Sequence, residues 1–358
     1  MKLKAKIYGV AAGFIAALST VTLSGCHAIY DESDCVESYN LVKLEYTRNM
    51  KFADAFAPEV DGVTLYVFSS ATGKLVQRID ADRKDLKDGN KVPLSVEPGK
   101  YDILVWAGGD RSKSFDITGG TPGETTLEEV HCRMQRAERE GALHRDDDLA
   151  PLFHGLVHVD LPYAGPSRPH EFTIPLTKDT NVIRVVLQHV TGETVNHNDF
   201  DFTITDRNGW LNHDNSLRDA STAINYHPWH TSTGSVDINN KPVDAPNNAP
   251  ALPVSVPQAR SVLGASLAEF TLNRLMDDTN PVLTVTNRAT GATVLSVPVK
   301  DYALLVKGFY HREMSNQEYL DRQDEYNMTF FLDEGNRWVS TVIIINDWRI
   351  IRHNPNLE

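Results

Sequence analysis

The residues with the most legible chemistry are Leu23-Ser24-Gly25-Cys26. They stand behind a head carrying Lys2, Lys4 and Lys6 and inside a run with no Asp, Glu, Lys or Arg between Ile7 and Tyr30. A secretory signal ends in small residues at its cleavage site. Here the residue after the cut is a cysteine, whose sulfur and newly freed amine would both take acyl chains. One chain gives only marginal membrane residence, at about 0.8 kcal/mol per buried methylene, whereas two or more anchor stably. The expectation is a lipoprotein signal peptide over residues 1–25 with lipid on Cys26. An uncleaved membrane span is the plainer alternative, because the run is nearly long enough. Gly9, Gly13, Ser19, Thr20 and Thr22 interrupt it, however. His27, rather than an aspartate, follows the cysteine, which favours passage to the outer membrane.

Two further cysteines, Cys35 and Cys132, complete the set of three. An exported chain meets a compartment that permits disulfides, so one Cys35–Cys132 bridge is expected. Closing a loop of that length contributes about 4 to 5 kcal/mol in the chain-entropy account. Two buried free thiols are the alternative, since spacing says nothing of geometry.

Other constellations carry less. His154 and His158 fall on one strand face but far apart for a single metal. His213, His227 and His230 fall in or near a loop without a His-Glu-x-x-His or paired-cysteine pattern. Asp206-Arg207-Asn208-Gly209 starts like a calcium loop, but Leu217 stands where the twelfth-position glutamate is needed. Cys132 beside His131 is no nucleophile–base pair, because adjacent residues do not face each other on a helix. No Gly-x-Ser-x-Gly elbow, phosphate-binding glycine loop or dinucleotide fingerprint occurs. Trp106, Trp210, Trp229, Trp338 and Trp348 could form a sugar platform, although such residues more often pack a core. No catalytic residue, metal ligand or cofactor is expected.

Removing the first 25 of 358 residues leaves 333, enough for two domains. The net charge of −13 becomes −16 once the three lysines of the signal are gone. Such a surface excludes nucleic acid as a partner, and it leaves membrane attachment to the lipid.

The elements that would position these residues read mostly as strands. Residues 26–38 form an acidic tether. Asn40 to Tyr46 alternates apolar and polar residues, the period of a half-buried strand. Val63 to Phe68 and Leu75 to Ile79 flank a Thr72-Gly73 turn, and Val92 to Val96 and Tyr101 to Ala107 flank Pro98-Gly99. A helix is expected from Thr126 to about Glu140, with Glu128 and Glu129 at its start and Gly141 at its stop. Leu152 to Val159 returns to strand. Three prolines and a glycine in Leu161–Pro169 mark a linker, placed at residues 162–170. Beyond it, strands are expected at 171–175, 181–189, 200–204, 265–272, 282–287, 292–299, 326–332, 338–345 and 348–351. A loop is expected over 231–248 and a short helix over 316–325. The fold class is therefore mainly β: two antiparallel β-sandwich domains in tandem, residues 39–161 and 171–358, with one or two short helices.

Several of these segments together resemble one family. The lipobox Cys26, the tether with Cys35, Tyr46-Thr47-Arg48-Asn49-Met50-Lys51-Phe52-Ala53-Asp54-Ala55-Phe56 and Val63 to Phe68 are similar to the FimB-type fimbrial anchor lipoproteins of Bacteroidales. So are Pro98-Gly99-Lys100-Tyr101, Val105 to Gly108, Leu152 to Gly155, Leu176 to Asn181 and the ending Val342 to Trp348. The resemblance implies transthyretin-like sandwiches, an outer-membrane lipid anchor exposed at the cell surface, and fimbrial shaft or accessory subunits as partners. It implies that a strand of one subunit completes the sheet of another, main-chain bonds giving affinity and side chains specificity. The first strand, Leu41 to Tyr46, and the last, Trp338 to Ile351, are the candidate exchange elements. In similar shaft subunits an arginine-specific cut removes the first strand, and Arg48 sits just behind it. The rival expectation is a glycan-binding surface lipoprotein of an outer-membrane import system, which should expose tryptophans in a ring-stacking pair. A surface hydrolase would need a polar cleft that the motifs do not reveal.

Overall fold

The computed structural model describes residues 39–86, 89–108, 113–165, 167–236, 263–308 and 311–351. Cys26, Cys35 and the expected signal and tether lie outside them. The strands, in chain order, are β1 (Tyr39–Glu45), β2 (Gly62–Ser69), β3 (Leu75–Asp82), β4 (Lys91–Ser95), β5 (Gly99–Gly108), β6 (Phe115–Ile117), β7 (Cys132–Met134) and β8 (Ala137–Arg139). There follow β9 (Ala142–Arg145), β10 (Leu152–Leu161), β11 (His170–Pro175), β12 (Thr177–Lys178), β13 (Thr180–His189), β14 (Phe200–Asp206), β15 (Trp210–Leu211) and β16 (Ile224–Tyr226). The chain continues with β17 (His230–Val236), β18 (Leu263–Asn273), β19 (Val282–Asn287), β20 (Thr293–Pro298), β21 (Glu325–Leu332), β22 (Trp338–Ile345) and β23 (Trp348–Ile351). Three short helices interrupt them: α1 (Phe56–Glu59), α2 (Val299–Leu305) and α3 (Asn316–Arg322).

The alternation read in Asn40–Tyr46 sets the first sandwich. Val42 and Leu44 are fully buried while Lys43 and Glu45 pair at the surface, and β1 becomes the middle strand of the sheet β11-β1-β4. It runs parallel to β11, from Asn40↔His170 to Glu45↔Pro175, and antiparallel to β4. The facing sheet is β12-β10-β5-β2-β3. Val42, Leu44, Leu65, Val67, Ile103 and Val105 fill the space between. Six consecutive buried residues in β2 mark a strand covered on both faces. Tyr66, Phe68, Leu104 and Trp106, on its far face and that of β5, join a second and larger core.

That larger core lies mainly between the sheets β17-β18-β13-β21-β22-β23 and β20-β19-β14-β16-β9-β8. Val182–Leu187, read as a central strand, lies in β13, antiparallel to β18 and parallel to β21. The molecule is mainly β and built as β-sandwiches. The strands do not part at residues 162–170. β11, beyond that segment, pairs with β1, and β9, before it, pairs with β16.

The expected helix at Thr126–Glu140 is corrected. Its capping box is present, with Thr126 N donating to Glu129 Oε2 at 2.7 Å, but it closes only one 3₁₀ turn, Leu127–Glu129. Val130, Cys132 and Met134 are buried around an exposed Arg133, a period of two that serves β7. The residues then enter the hairpin of β8 and β9, and β16, some 80 residues later, pairs with β9 to join it to the sheet. The strand expected over 292–299 ends at Pro298, and α2 follows with Val299, Tyr302 and Ala303 buried at helical spacing. Part of the loop expected at 231–248 is β17.

Candidate functional site

The sequence places the functional weight on both ends of β1, one on the side of Cys26, the expected lipid site, and one leading to Arg48. At the second end Tyr46–Phe56 is a knotted turn. Asn49 Nδ2 donates to Tyr46 O at 2.8 Å and to Ala53 O at 2.7 Å, and Asn49 Oδ1 accepts from Lys51 N at 3.0 Å. Asp54 Oδ1 accepts from the amides of Tyr46 and Phe56, both at 3.0 Å. Arg48 is exposed and reaches Thr177 Oγ1 at 3.2 Å.

The same turn holds Phe52 at a φ of 52°, a region that bulky L-residues rarely occupy. Its ring is exposed, with the Arg322 guanidinium 4.9 Å from its centre. Arg322 Nη1 also donates to Thr47 O at 3.4 Å. Strain of this kind costs about 1 to 3 kcal/mol and persists where surrounding structure fixes it. Beside the turn, Met50, Val306, His311, Tyr319 and Trp348 line a cavity of about 130 Å³. Trp348 and Ile351 are more than half exposed, on the last strand of the six-stranded sheet. Met50 and Trp348 thus meet at this cavity, and the exposed Phe52 stands on the same turn as Met50, an apolar grouping that the residue types alone did not flag.

A charged clamp joins this end to the larger sandwich. Lys178 Nζ lies 2.9 Å from Glu59 and 2.6 Å from Asp324, and 5.9 Å from the centre of the Phe153 ring. The two carboxylates keep its charge, raising its pKa although burial acts against it. Nearby, Asp179 is wholly buried, and burial pushes its carboxyl up to about 7. It accepts from Asn215 Nδ2 at 2.8 Å, and Arg274, paired twice with Asp321 at 2.8 Å, lies 3.8 Å away.

The remaining candidates are dispersed. Cys132 is buried on β7 opposite Leu211 and Ile117, while Cys35 is outside the described residues. His154 is buried edge-on to Trp106 and meets His213 O at 2.7 Å; burial pushes it down to about 4. His158 is exposed and bonded to Asp102. His227 pairs with His144 at 2.9 Å, ring against ring. Among the described residues no group of three or more His, Cys, Asp or Glu is arranged to hold a metal ion. Asp206 is buried, with Thr279 Oγ1 3.5 Å from one carboxyl oxygen. Trp106 is in the core, Trp210 lies between Arg133 and Arg218 at 5.4 and 5.3 Å, and Trp338 packs on Phe330. Trp229 and Trp348 are exposed.

Comparison with known proteins agrees with this geometry. No curated protein matches the chain. A crystal structure of a candidate adhesin from Bacteroides thetaiotaomicron is 28% identical over 88% of this chain and 99% of its own, with a TM-score of 0.72. A candidate polysaccharide-binding protein from the same organism is 30% identical over 89% of this chain and 100% of its own, at 0.70. The fimbrial anchor protein Mfa2 from Porphyromonas gingivalis is 15% identical over 88% and 99%, at 0.60, and shares the fold. The family model of fimbrillin-A associated anchor proteins Mfa1 and Mfa2 matches residues 31–354, and the chain belongs to that family.

Proposed function

We propose that this fimbria-associated protein is an outer-membrane lipoprotein, anchored through acylated Cys26, that holds a cell-surface fimbria and nucleates it or limits its length through strand-mediated contacts with fimbrial subunits. It makes and breaks no covalent bond. One observation carries the reading: the segment that would bear the lipid leads straight into the middle strand of a sheet. Tension between membrane and filament pulls β1 along its own axis. That loads the ladders to β11 and β4 together rather than peeling them one bond at a time. The Tyr46–Phe56 turn ties off the far end of the strand. The patch of Met50, Phe52 and Trp348, beside the open edge of β23, is the surface for the filament subunit. An exposed edge offers main-chain groups to a partner strand, and an aromatic anchor beside it gives specificity.

Surface crosslinking of intact cells, followed by capture of this protein, should recover a fimbrial subunit. Trp348→Ser should lower that recovery while Cys26→Ser releases the protein from the membrane fraction. Recovery of an importer complex alone would defeat the anchor reading. It would favour the glycan-binding alternative, to which the 30% identical neighbour points.

A further inference from the structure

We infer that the tether end of the first sandwich is a lipid-facing surface, with Tyr39 and Tyr163 seated at the headgroup level of the bilayer. This rests on acylation of Cys26. The strand registers bring the relevant residues to one end of the sheet pair. Tyr39 opens β1 opposite Ser95, the last residue of β4. Leu161, the last residue of β10, lies opposite Gly99, the first of β5. Tyr39 N donates to Ala164 O at 2.7 Å, which draws the Pro162-Tyr163 step against the start of β1. The end is thus made of Tyr39, Val96, Pro98, Pro162 and Tyr163.

Tyr163 is 60% exposed and Tyr39 43%, whereas the other tyrosines among the described residues, such as Tyr46, Tyr66, Tyr226 and Tyr326, are buried. A tyrosine has an apolar ring and a hydroxyl that seeks polar partners, the pairing that places this residue at membrane–water boundaries. Here it has reason to be outside. Twelve residues separate Cys26 from Tyr39. Even fully extended, a segment of that length reaches only about 45 Å, so the lipid would hold this end of the sandwich, rather than the far one, nearest the bilayer. Charge does not supply the contact, because the chain is acidic and this end sets Glu97 and Asp160 against Lys100. The other exposed aromatic patch, at Phe52 and Trp348, lies beyond the opposite end of β1, about 23 Å along a seven-residue strand. One end of the strand therefore meets lipid and the other meets protein.

The test is hydroxyl-radical footprinting of the full lipidated protein on phosphatidylcholine vesicles, with the Cys26→Ser protein in solution as reference. Oxidation of Tyr39 and Tyr163 should fall several-fold on the vesicles, while Phe52 and Trp348 keep their solution rates. A Tyr39→Ser, Tyr163→Ser double variant should stay anchored and lose the protection of Val96. Equal tyrosine rates on vesicles and in solution would overturn the inference and leave the anchor intact. Protection of Phe52 and Trp348 instead would turn the molecule over and overturn it as well. Cys26→Ser protein that still sediments with vesicles would remove the anchor reading, and this inference with it.

Discussion

Asn49→Ala asks whether the first strand is retained or released. The family resemblance implies that shaft subunits open a groove for strand insertion by an arginine-specific cut, and Arg48 is the arginine placed for such a cut to let β1 go. Proteases bind their substrates as extended segments, so the Arg48–Asn49 bond is reached only when the turn opens. In the closed turn Asn49 is buried and its amide bonds two carbonyls, Tyr46 O at 2.8 Å and Ala53 O at 2.7 Å. The amide of Lys51, an exposed residue, also gives to Asn49 Oδ1 and can turn to water when that oxygen is removed; at about 1 kcal/mol for each of the two bonds to carbonyls, removing the side-chain amide lowers the opening free energy by about 2 kcal/mol, close to a thirtyfold larger open fraction. When opening is fast relative to cleavage, the rate follows that fraction. Limited digestion of the folded protein with an arginine-specific protease, read by mass spectrometry at this bond, should show slow cleavage in the wild type and about thirtyfold faster cleavage in the variant. Matched short peptides correct for the changed residue after the scissile bond. A wild type cut at Arg48 as fast as its peptide would show that the turn protects nothing, and the strand would then be removable.

Three further outcomes follow from the interior. Lys178→Met leaves Glu59 and Asp324 facing each other without their cation; urea unfolding should show a loss of about 2 kcal/mol, at the low side for a broken pair because Glu59 keeps contact with water. Asp179 holds its proton up to about 7 in the fold and only to about 4 when unfolded. Its contribution is therefore complete below pH 4 and is lost as pH rises to 7. His154, pushed down to about 4, acts oppositely, losing stability as pH falls from about 6.5. Asp179→Asn isolates the first effect: the advantage of wild type over variant should be larger at pH 4.5 than at pH 7.5, and a gap constant with pH would refute the assignment. For the proposed Cys35–Cys132 bridge, a non-reducing peptide map should show the two peptides linked. Reduction should then lower stability by about 4 to 5 kcal/mol, as Cys132→Ser does.

Local alternation carried most of the fold into the sequence. Val42 and Leu44 against Lys43 and Glu45, the unbroken Val182–Leu187 and the turns at Gly73 and Gly99 are each decided by neighbours a few residues away. What failed depended on distant partners. The Thr126 capping box is a true local signal, and only strands at residues 200–226 decide that the chain after it extends rather than coils. Val130, Cys132 and Met134 at period two were the available warning. The parallel pairing of β1 with β11 left no local mark, because parallel neighbours join through long connections rather than a shared turn. At the candidate site Arg48 was legible as a residue type. The patch of Met50, Phe52 and Trp348 was not, since its members lie some 300 residues apart and meet only through β23 and α3.

A retained first strand has a consequence for the polymer. A subunit whose own β1 fills the space between β4 and β11 offers no groove there, so a neighbour's strand cannot enter on that side. On the proposed reading such a chain would join a filament through an edge that is already open, and among the described residues β23 is a sheet edge carrying the exposed Trp348. On the proposed reading the two ends of β1 have unlike tasks: the tether end would face lipid and the Arg48 end a protein partner. A filament that reaches this chain cannot extend past it toward the membrane, which is what a terminating anchor requires. Rapid cleavage at Arg48 in the intact lipoprotein would break this logic at its first step, because the lipid-bearing peptide would then be tied to the body only by a bridge between Cys35 and Cys132.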